Sequence, residues 1–300
     1  MSNPSPSSLK QYIHRYGQLV CCLSAFWGAI PALAQAQAVP PSQAAPTQQS
    51  AEKNFEQGDM TRAIQQWSRD IKNGNDVVRA LFNRSQTYIL LKQYEFAVQD
   101  LNQLIQLQGD RTPADVFVVR GIALSEMNQI PAAIQSFNQA EKLQPSALVY
   151  SNRALAYQRN AQFPQALEDL KKAIQLAPTP FNRLNLANLQ LQLGQFTQVV
   201  EGMNQLLTQE KSFFPAYLTR GIAYYNLGQY ETAVRDFLFS LTILPDQPEA
   251  YYYTGLSFAK LNRRDDASQN LIRAADIYLR QNQPNSYHQV LKKMNELALQ

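Results

Sequence analysis

Apolar side chains recur along residues 50–281 in steps of three and four, and the runs come in pairs. In one pair, Leu81, Ser85 and Tyr88 mark a first stripe and Ala97, Leu101 and Leu104 a second. Such steps place residues on one side of a helix, so each run predicts a helix with a single buried face. Between paired runs stand Gly58, Asn128, Gly194, Gly228 and Asn262, the residue types that best tolerate the left-handed conformation ending a helix. Pro131 and Pro164 fall at the first turn of a second helix, where a missing N–H costs nothing. Pro145, Pro178 and Pro245 close their pairs.

The pairs repeat. A small residue recurs as Ser85, Gly121, Ala154, Ala187, Gly221 and Gly255, at separations of 36, 33, 33, 34 and 34. Twelve residues after each comes Ala97, Ala133, Ala166, Val199, Ala233 and Ala267. Two helices joined by a short turn approach closely only if both carry small side chains at the crossing, which explains the paired small positions. A degenerate copy precedes them, with Ala51, Gly58, Ala63 and Trp67, and residues 109–113 (GDRTP) lengthen one turn by two. At the other end Tyr287, Val290, Leu291, Met294 and Leu297 form one apolar stripe, and Ser286 with Gln289 makes a capping-box start. An amphipathic helix over 285–299 is the expected cover for the exposed face of an end repeat.

A period of about 34 residues with this pattern resembles the tetratricopeptide repeat. That family has large residues at repeat positions 4, 11, 17 and 24 and small ones at 8, 20 and 27. The copy starting at 214 matches most fully, with Tyr217, Gly221, Tyr224, Gly228, Tyr230, Ala233, Phe237 and Pro245. Copies start near 44, 78, 114, 147, 180, 214 and 248. The first is weak, with Asn54 where an aromatic is expected, and the fifth departs at Val199 and Met203. The resemblance implies an all-α fold, an α-α superhelix of about seven helix-turn-helix repeats over 50–300 with a capping helix.

Composition narrows the chemistry. Only two histidines, His14 and His288, and two cysteines, Cys21 and Cys22, exist in 300 residues. No cysteine–histidine pair, zinc cluster or histidine-based triad is expected from that set, and the chain reads as a non-enzyme with no cofactor and no metal. Charged residues are 17% of the chain and the net charge is +4, which offers little pull on phosphate polymers, so no nucleic-acid partner is expected.

The first residues read as an export signal. Lys10 and Arg15 precede an uncharged, mostly apolar run over 16–34, which ends at Ala32-Leu33-Ala34, a small-x-small cleavage site. Residues 1–34 are assigned as the signal and 35–49 (QAQAVPPSQAAPTQQ) as a flexible linker. Cleavage would remove both cysteines. An uncleaved segment would instead tether the protein to a membrane, the only membrane contact expected. The location read from this is the periplasm, another lumen, or the extracellular space.

Two sets of residues are candidates for a role. Arg84, Arg153 and Arg220 each precede an aspartate by sixteen residues, Asp100, Asp169 and Asp236. Leu186/Gly202 and Thr254/Asn270 replace both partners together, so the pairs read as ion pairs within the hairpin. The resemblance further implies a concave groove lined by first helices, from repeat positions 2, 5, 6, 9, 12 and 13. Those positions give Asn83, Asn152 and Asn185 as amides for an extended peptide backbone, with Phe181, Leu218, Tyr252 and Tyr253 as apolar contacts. The lysines and arginine by which chaperone-docking members of the family grip a terminal carboxylate are missing from the corresponding positions, so that partner class is not expected. The expected function is a protein-binding scaffold of the cell envelope or a lumen. The alternatives are a membrane-tethered assembly factor for a membrane complex and a carboxylate-based carbohydrate-processing enzyme. Of the groove acids, Glu126, Asp115 and Glu249 are too scattered to favour the enzyme.

Overall fold

The computed structural model describes residues 52, 54, 55 and 58–298. The export signal at 1–34, the linker at 35–49 and most of the first helix of the first repeat lie outside the described residues. Among the described residues every regular element is helical. The chain divides after Ala177 into two compact units.

The first unit holds α1 (Met60–Asn73), α2 (Val77–Leu90), α3 (Tyr94–Gln108), α4 (Ala114–Glu126), α5 (Ile130–Leu143), α6 (Ala147–Arg159) and α7 (Phe163–Leu176). The second holds α8 (Pro180–Gln192), α9 (Phe196–Gln209), α10 (Phe214–Asn226), α11 (Tyr230–Ile243), α12 (Pro248–Lys260), α13 (Arg264–Arg280) and the cap α14 (Pro284–Ala298). Within a unit each first helix packs on its own second helix, on the second helix of the repeat before it, and along the first helix of the next repeat. First helices therefore make one face of each unit and second helices the other. The inserted GDRTP forms a short 3-10 turn, Gly109–Arg111, and the buried Thr112 hydroxyl donates to the Gly109 carbonyl at 2.7 Å.

Where two helices cross, the small residue meets a large one. A methyl group on Gly121 would lie 2.6 Å from the Phe137 ring, and one on Gly221 2.5 Å from Phe237. Both rings are essentially unexposed. Burial of a phenylalanine is worth about 1.5–3 kcal/mol, and here it depends on the missing Cβ sixteen residues earlier. Left-handed residues end the first helices at Asn128, Gly194, Gly228 and Asn262, as their types suggest. Lys92 and Ala161 take the same conformation at φ 58° and 54° without any favourable side chain. The closing hydrogen bonds there, Gln93 N–H to Tyr88 O at 2.7 Å and Gln162 N–H to Tyr157 O at 2.8 Å, match the other repeats. Repeat geometry overrides residue preference at those two turns.

Candidate functional site

Each candidate arginine sits on the middle turn of a first helix and points at its own second helix. Arg84 donates through Nε and Nη2 to the two carboxylate oxygens of Asp100, at 2.8 and 2.6 Å. Arg153 does so to Asp169 at 2.7 and 2.9 Å, and Arg220 to Asp236 at 2.7 and 2.7 Å. These are two-pronged pairs with the carboxylates buried. Rings from neighbouring turns flank the guanidinium: Tyr88 at 5.8 Å beside Arg84, Tyr150 and Tyr157 at 5.5 and 5.8 Å beside Arg153, Tyr217 and Tyr224 at 5.3 and 5.9 Å beside Arg220.

The third nitrogen does something the sequence pattern alone did not suggest. Nη1 of Arg84 donates to Ser68, that of Arg153 to Asn138 and that of Arg220 to Asn204, at 2.8, 2.8 and 2.7 Å. These acceptors lie on the second helix of the preceding repeat, so each guanidinium ties three helices together. Arg120 follows the same plan with a weaker set: Asn102 accepts at 3.2 Å, and Ser136 takes the aspartate's place at 3.0 Å. Burial without a carboxylate lowers the pKa of Arg120. At Arg153 burial also opposes the charge, but hydrogen bonds to Asp169 and Glu141 more than restore it and raise the pKa. A signal for these acceptors was present. Ser68, Asn102, Asn138 and Asn204 precede repeats that carry the arginine, whereas Lys171 and Leu238 hold that place before repeats that do not.

The face of first helices is less uniform than the family geometry implies. Asn83, Asn185, Tyr252 and Tyr253 are partly exposed. Asn152 and Leu218 are not: Asn152 is 5% exposed and Leu218 3%. The Asn152 amide donates back to the Leu148 carbonyl of its own helix at 2.8 Å, and Leu218 packs with Ala233, Phe237, Leu241 and Ala250. These two are corrected to core residues: Leu218 packs against Ala250 of the next first helix, and Asn152 spends its amide on its own helix. Val118, Val119, Ser151 and Thr219, at the same positions, are buried too. Phe181 meets Phe213 edge-on at 5.5 Å and packs at the rim of the second unit's core.

Two of the three acids of this face are tied up, and the third, Asp115, is exposed. Burial raises the pKa of Glu126 against the opposing charge of Arg159, which donates to it at 3.0 Å and to the Ser125 carbonyl at 2.7 Å. Burial likewise raises that of Glu249, while its hydrogen bond from Tyr278 works the other way. Among the described residues no cluster of three or more histidine, cysteine or acidic side chains could hold a metal ion.

Models of the tetratricopeptide repeat match residues 78–111, 147–180 and 218–286. Human tetratricopeptide repeat protein 13 is 32% identical over 96 residues, 30% of this chain and 11% of that protein. The chain thus spans about a tenth of that relative. A tetratricopeptide repeat protein from Parabacteroides merdae superposes with a TM-score of 0.67 at 15% identity, over 82% of this chain and 97% of that one. PilW, a type IV pilus biogenesis factor, superposes with a TM-score of 0.61 at 18% identity, over 72% and 99%. Identities this low speak to fold alone. The models show tetratricopeptide repeats over the residues they match, and the superpositions, with the helix pairs, the glycine–phenylalanine crossings and the 34-residue period, show a fold of helical solenoid units.

Proposed function

We propose that the protein is an exported, non-catalytic scaffold that takes an extended segment of a partner protein along the face of its first helices. Tetratricopeptide repeats imply protein–protein interaction, and the observation that carries the finer reading is the exposure of that face. Asn185, Tyr252 and Tyr253 stand half-open on successive or near-successive first helices of the second unit, as Asn83 does in the first. An amide offers a donor and an acceptor to a peptide backbone, and tyrosine supplies rigid area with a polar tip. Of the three acids on the same face, Glu126 is spent on Arg159 and Glu249 on Tyr278, which leaves the exposed Asp115 as a single carboxylate where glycoside chemistry takes a pair. Export rests on the charged start, apolar run and Ala32-Leu33-Ala34 site of the sequence. A tethered assembly factor would keep that run.

A photo-crosslinking amino acid placed at Asn185 or Tyr252 tests the face, with Leu238 and Ile272, exposed on second helices, as the opposing positions. Adducts from the first pair are expected. Adducts from Leu238 and Ile272 alone would move binding to the other face. Intact mass of the same exported protein should start at Gln35 or shortly after, and a species retaining Cys21 and Cys22 would remove cleavage from the proposal.

A further inference from the structure

The second helix of the first repeat carries a burden at a place where later repeats carry none. Seven residues after the small residue of each later second helix stands a buried side chain: Leu104, Ala140, Ala173, Leu206, Ser240 and Ala274. Five are apolar, and the Ser240 hydroxyl is bonded to the Phe214 carbonyl and to Gln247. On α1 that place holds Asp70, 1% exposed, and neither of its carboxylate oxygens has a hydrogen-bond partner among the described residues. One turn earlier the indole N–H of the buried Trp67 is in the same state. A buried polar group left unmatched destabilises the folded state, a carboxylate most of all.

The helix itself is well ended. The Asp59 carboxylate accepts from the Arg62 N–H at 3.1 Å, and the Asn75 N–H closes the other end on the Asp70 carbonyl at 2.8 Å. Its buried Ala63 and Trp67 form a small cluster with Ala80 of α2, apart from the core that Leu81, Leu101 and Val116 share, with Ile71 at the edge of both. The joint to α2 contains two left-handed residues, Gly74 at φ 74° and Asp76 at φ 38°, and glycine takes that conformation without side-chain strain. A tie opposes release. Arg79 on α2, itself buried, donates to Glu52 at 2.6 Å, and Phe55, three residues on, packs on Trp67 with ring centroids 6.0 Å apart.

We infer that α1 is an opening element at the start of the first unit: Asp70 and Trp67 load it toward release, the Gly74–Asp76 joint lets it swing, and the Arg79–Glu52 pair holds it shut. Opening returns the Asp70 carboxylate and the Trp67 indole to water and uncovers Ala80 and Arg79 of α2, while the core shared by α2, α3 and α4 stays packed. Arg79 and Asn83 are four residues apart, hence on one side of α2. The open form therefore presents a free guanidinium beside an amide of the first-helix face. The inference holds whichever face binds a partner.

Amide exchange on the full-length protein, read by mass spectrometry, reports the opening, because a 14-residue helix released from its neighbour is not stable alone. α1 should exchange about tenfold faster than α3, or more. Asp70→Ala installs the side chain found at this place as Ala140, Ala173 and Ala274, and should slow exchange in α1 about tenfold with α3 unchanged. Asp70→Asn keeps the size and removes the charge, and should slow it by less. Arg79→Gln releases the tie and should speed α1 about tenfold, again with α3 unchanged. Damage to the fold speeds exchange, so slowing by Asp70→Ala is a result that damage does not give. Equal protection of α1 and α3 in the parent, or exchange in α1 that Asp70→Ala leaves unchanged or speeds, would overturn the opening element. Exchange in Arg79→Gln that matches the parent would overturn the latch.

Discussion

The two units build the same helical hairpin with different polar hardware. In the first, every described complete repeat has an arginine on the middle turn of its first helix, Arg84, Arg120 and Arg153, and each guanidinium spans three helices. In the second, Arg220 alone does so. At the two other repeats the same places hold Leu186 with Gly202 and Thr254 with Asn270. Thr254 and Asn270 do not meet across the hairpin; each bonds a carbonyl of its own helix, Ala250 O at 2.7 Å and Asp266 O at 2.8 Å. A methyl on Gly202 would meet nothing within 4 Å. The hairpin therefore does not require the ion pair. It requires that whatever occupies those places be satisfied, and the second unit meets that requirement locally.

The largest effect should come from breaking the most buried of the first unit's pairs. Arg153→Ala leaves Asp169, 3% exposed, without its partner, and should cost about 3–5 kcal/mol in denaturant unfolding. Asp169→Ala should cost a similar amount, and the double variant clearly less than the two together. Strictly additive losses would show that the geometry at 2.7 Å does not translate into coupling. In the second unit Thr254→Ala, the positional counterpart, removes only a bond to its own helix and should cost about 1 kcal/mol or less.

Next in size is a pair of glycines that the comparison sets apart. Gly221→Ala drives a methyl into the Phe237 ring at 2.5 Å, an overpacking cost of about 1–3 kcal/mol. Gly202→Ala enters open space in the middle of α9 and should gain about 0.5–1 kcal/mol, because alanine loses less backbone freedom in a helix. Opposite signs from the same substitution in adjacent repeats are the expected result, read from denaturant midpoints. Equal signs would mean that the crossing distance at Gly221 does not limit the packing.

These glycines also mark what was legible in the sequence. Gly121, Gly221 and the sixteen-residue Arg–Asp spacing were readable because a crossing contact repeats at fixed register, so chance coincidences cancel over seven copies. The all-helical fold and the cap at Pro284–Ala298 followed from the same periodicity. Lys92 and Ala161 as left-handed turn residues were not readable, since nothing in either side chain favours that conformation. Asn152 misled for a different reason. Its position in the repeat is shared with Asn83 and Asn185, but exposure depends on how closely the neighbouring helices approach, which one repeat's sequence does not encode. The bonds to Ser68, Asn138 and Asn204 were missed because they link one repeat to the next, and a comparison confined within repeats overlooks such pairs.

Ser136→Asp would sharpen the comparison by completing a pair rather than breaking one. Ser136 occupies the place of Asp100, Asp169 and Asp236, and Arg120 is already desolvated there without a carboxylate. The added charge should raise stability by about 1 kcal/mol, a figure well below the loss expected at Arg153 because the buried carboxylate must itself be desolvated. A loss of stability instead would show that the site at Ser136, fully buried against the Ala132 carbonyl, has been repacked around the hydroxyl.

The smallest effect separates the units by the sign of their pH response. In the first, the hydrogen bond from Arg153 lowers the pKa of Glu141. A carboxyl lowered on folding contributes stability above its unfolded value and loses it as pH falls through the folded one. In the second, burial raises the pKa of Glu249, only partly offset by the Tyr278 hydroxyl. That contribution runs the other way, present in full below the ordinary carboxyl range and lost as pH rises through the raised folded value. Glu249→Gln cannot ionise and still offers Tyr278 an oxygen. It should therefore match wild type in acid and exceed it at neutral pH by up to about 1 kcal/mol. Glu141→Gln should also converge with wild type in acid, but fall below it at neutral pH. Amide exchange in α5 and in α12, followed between pH 4 and pH 8, reads each unit by itself. Glu126, raised by its own burial, tilts the first unit slightly toward the second, so the decisive quantity is the change each variant makes rather than the slope of the parent. If Glu249→Gln tracks wild type at every pH, the buried carboxyl of α12 is as well solvated in the fold as outside it.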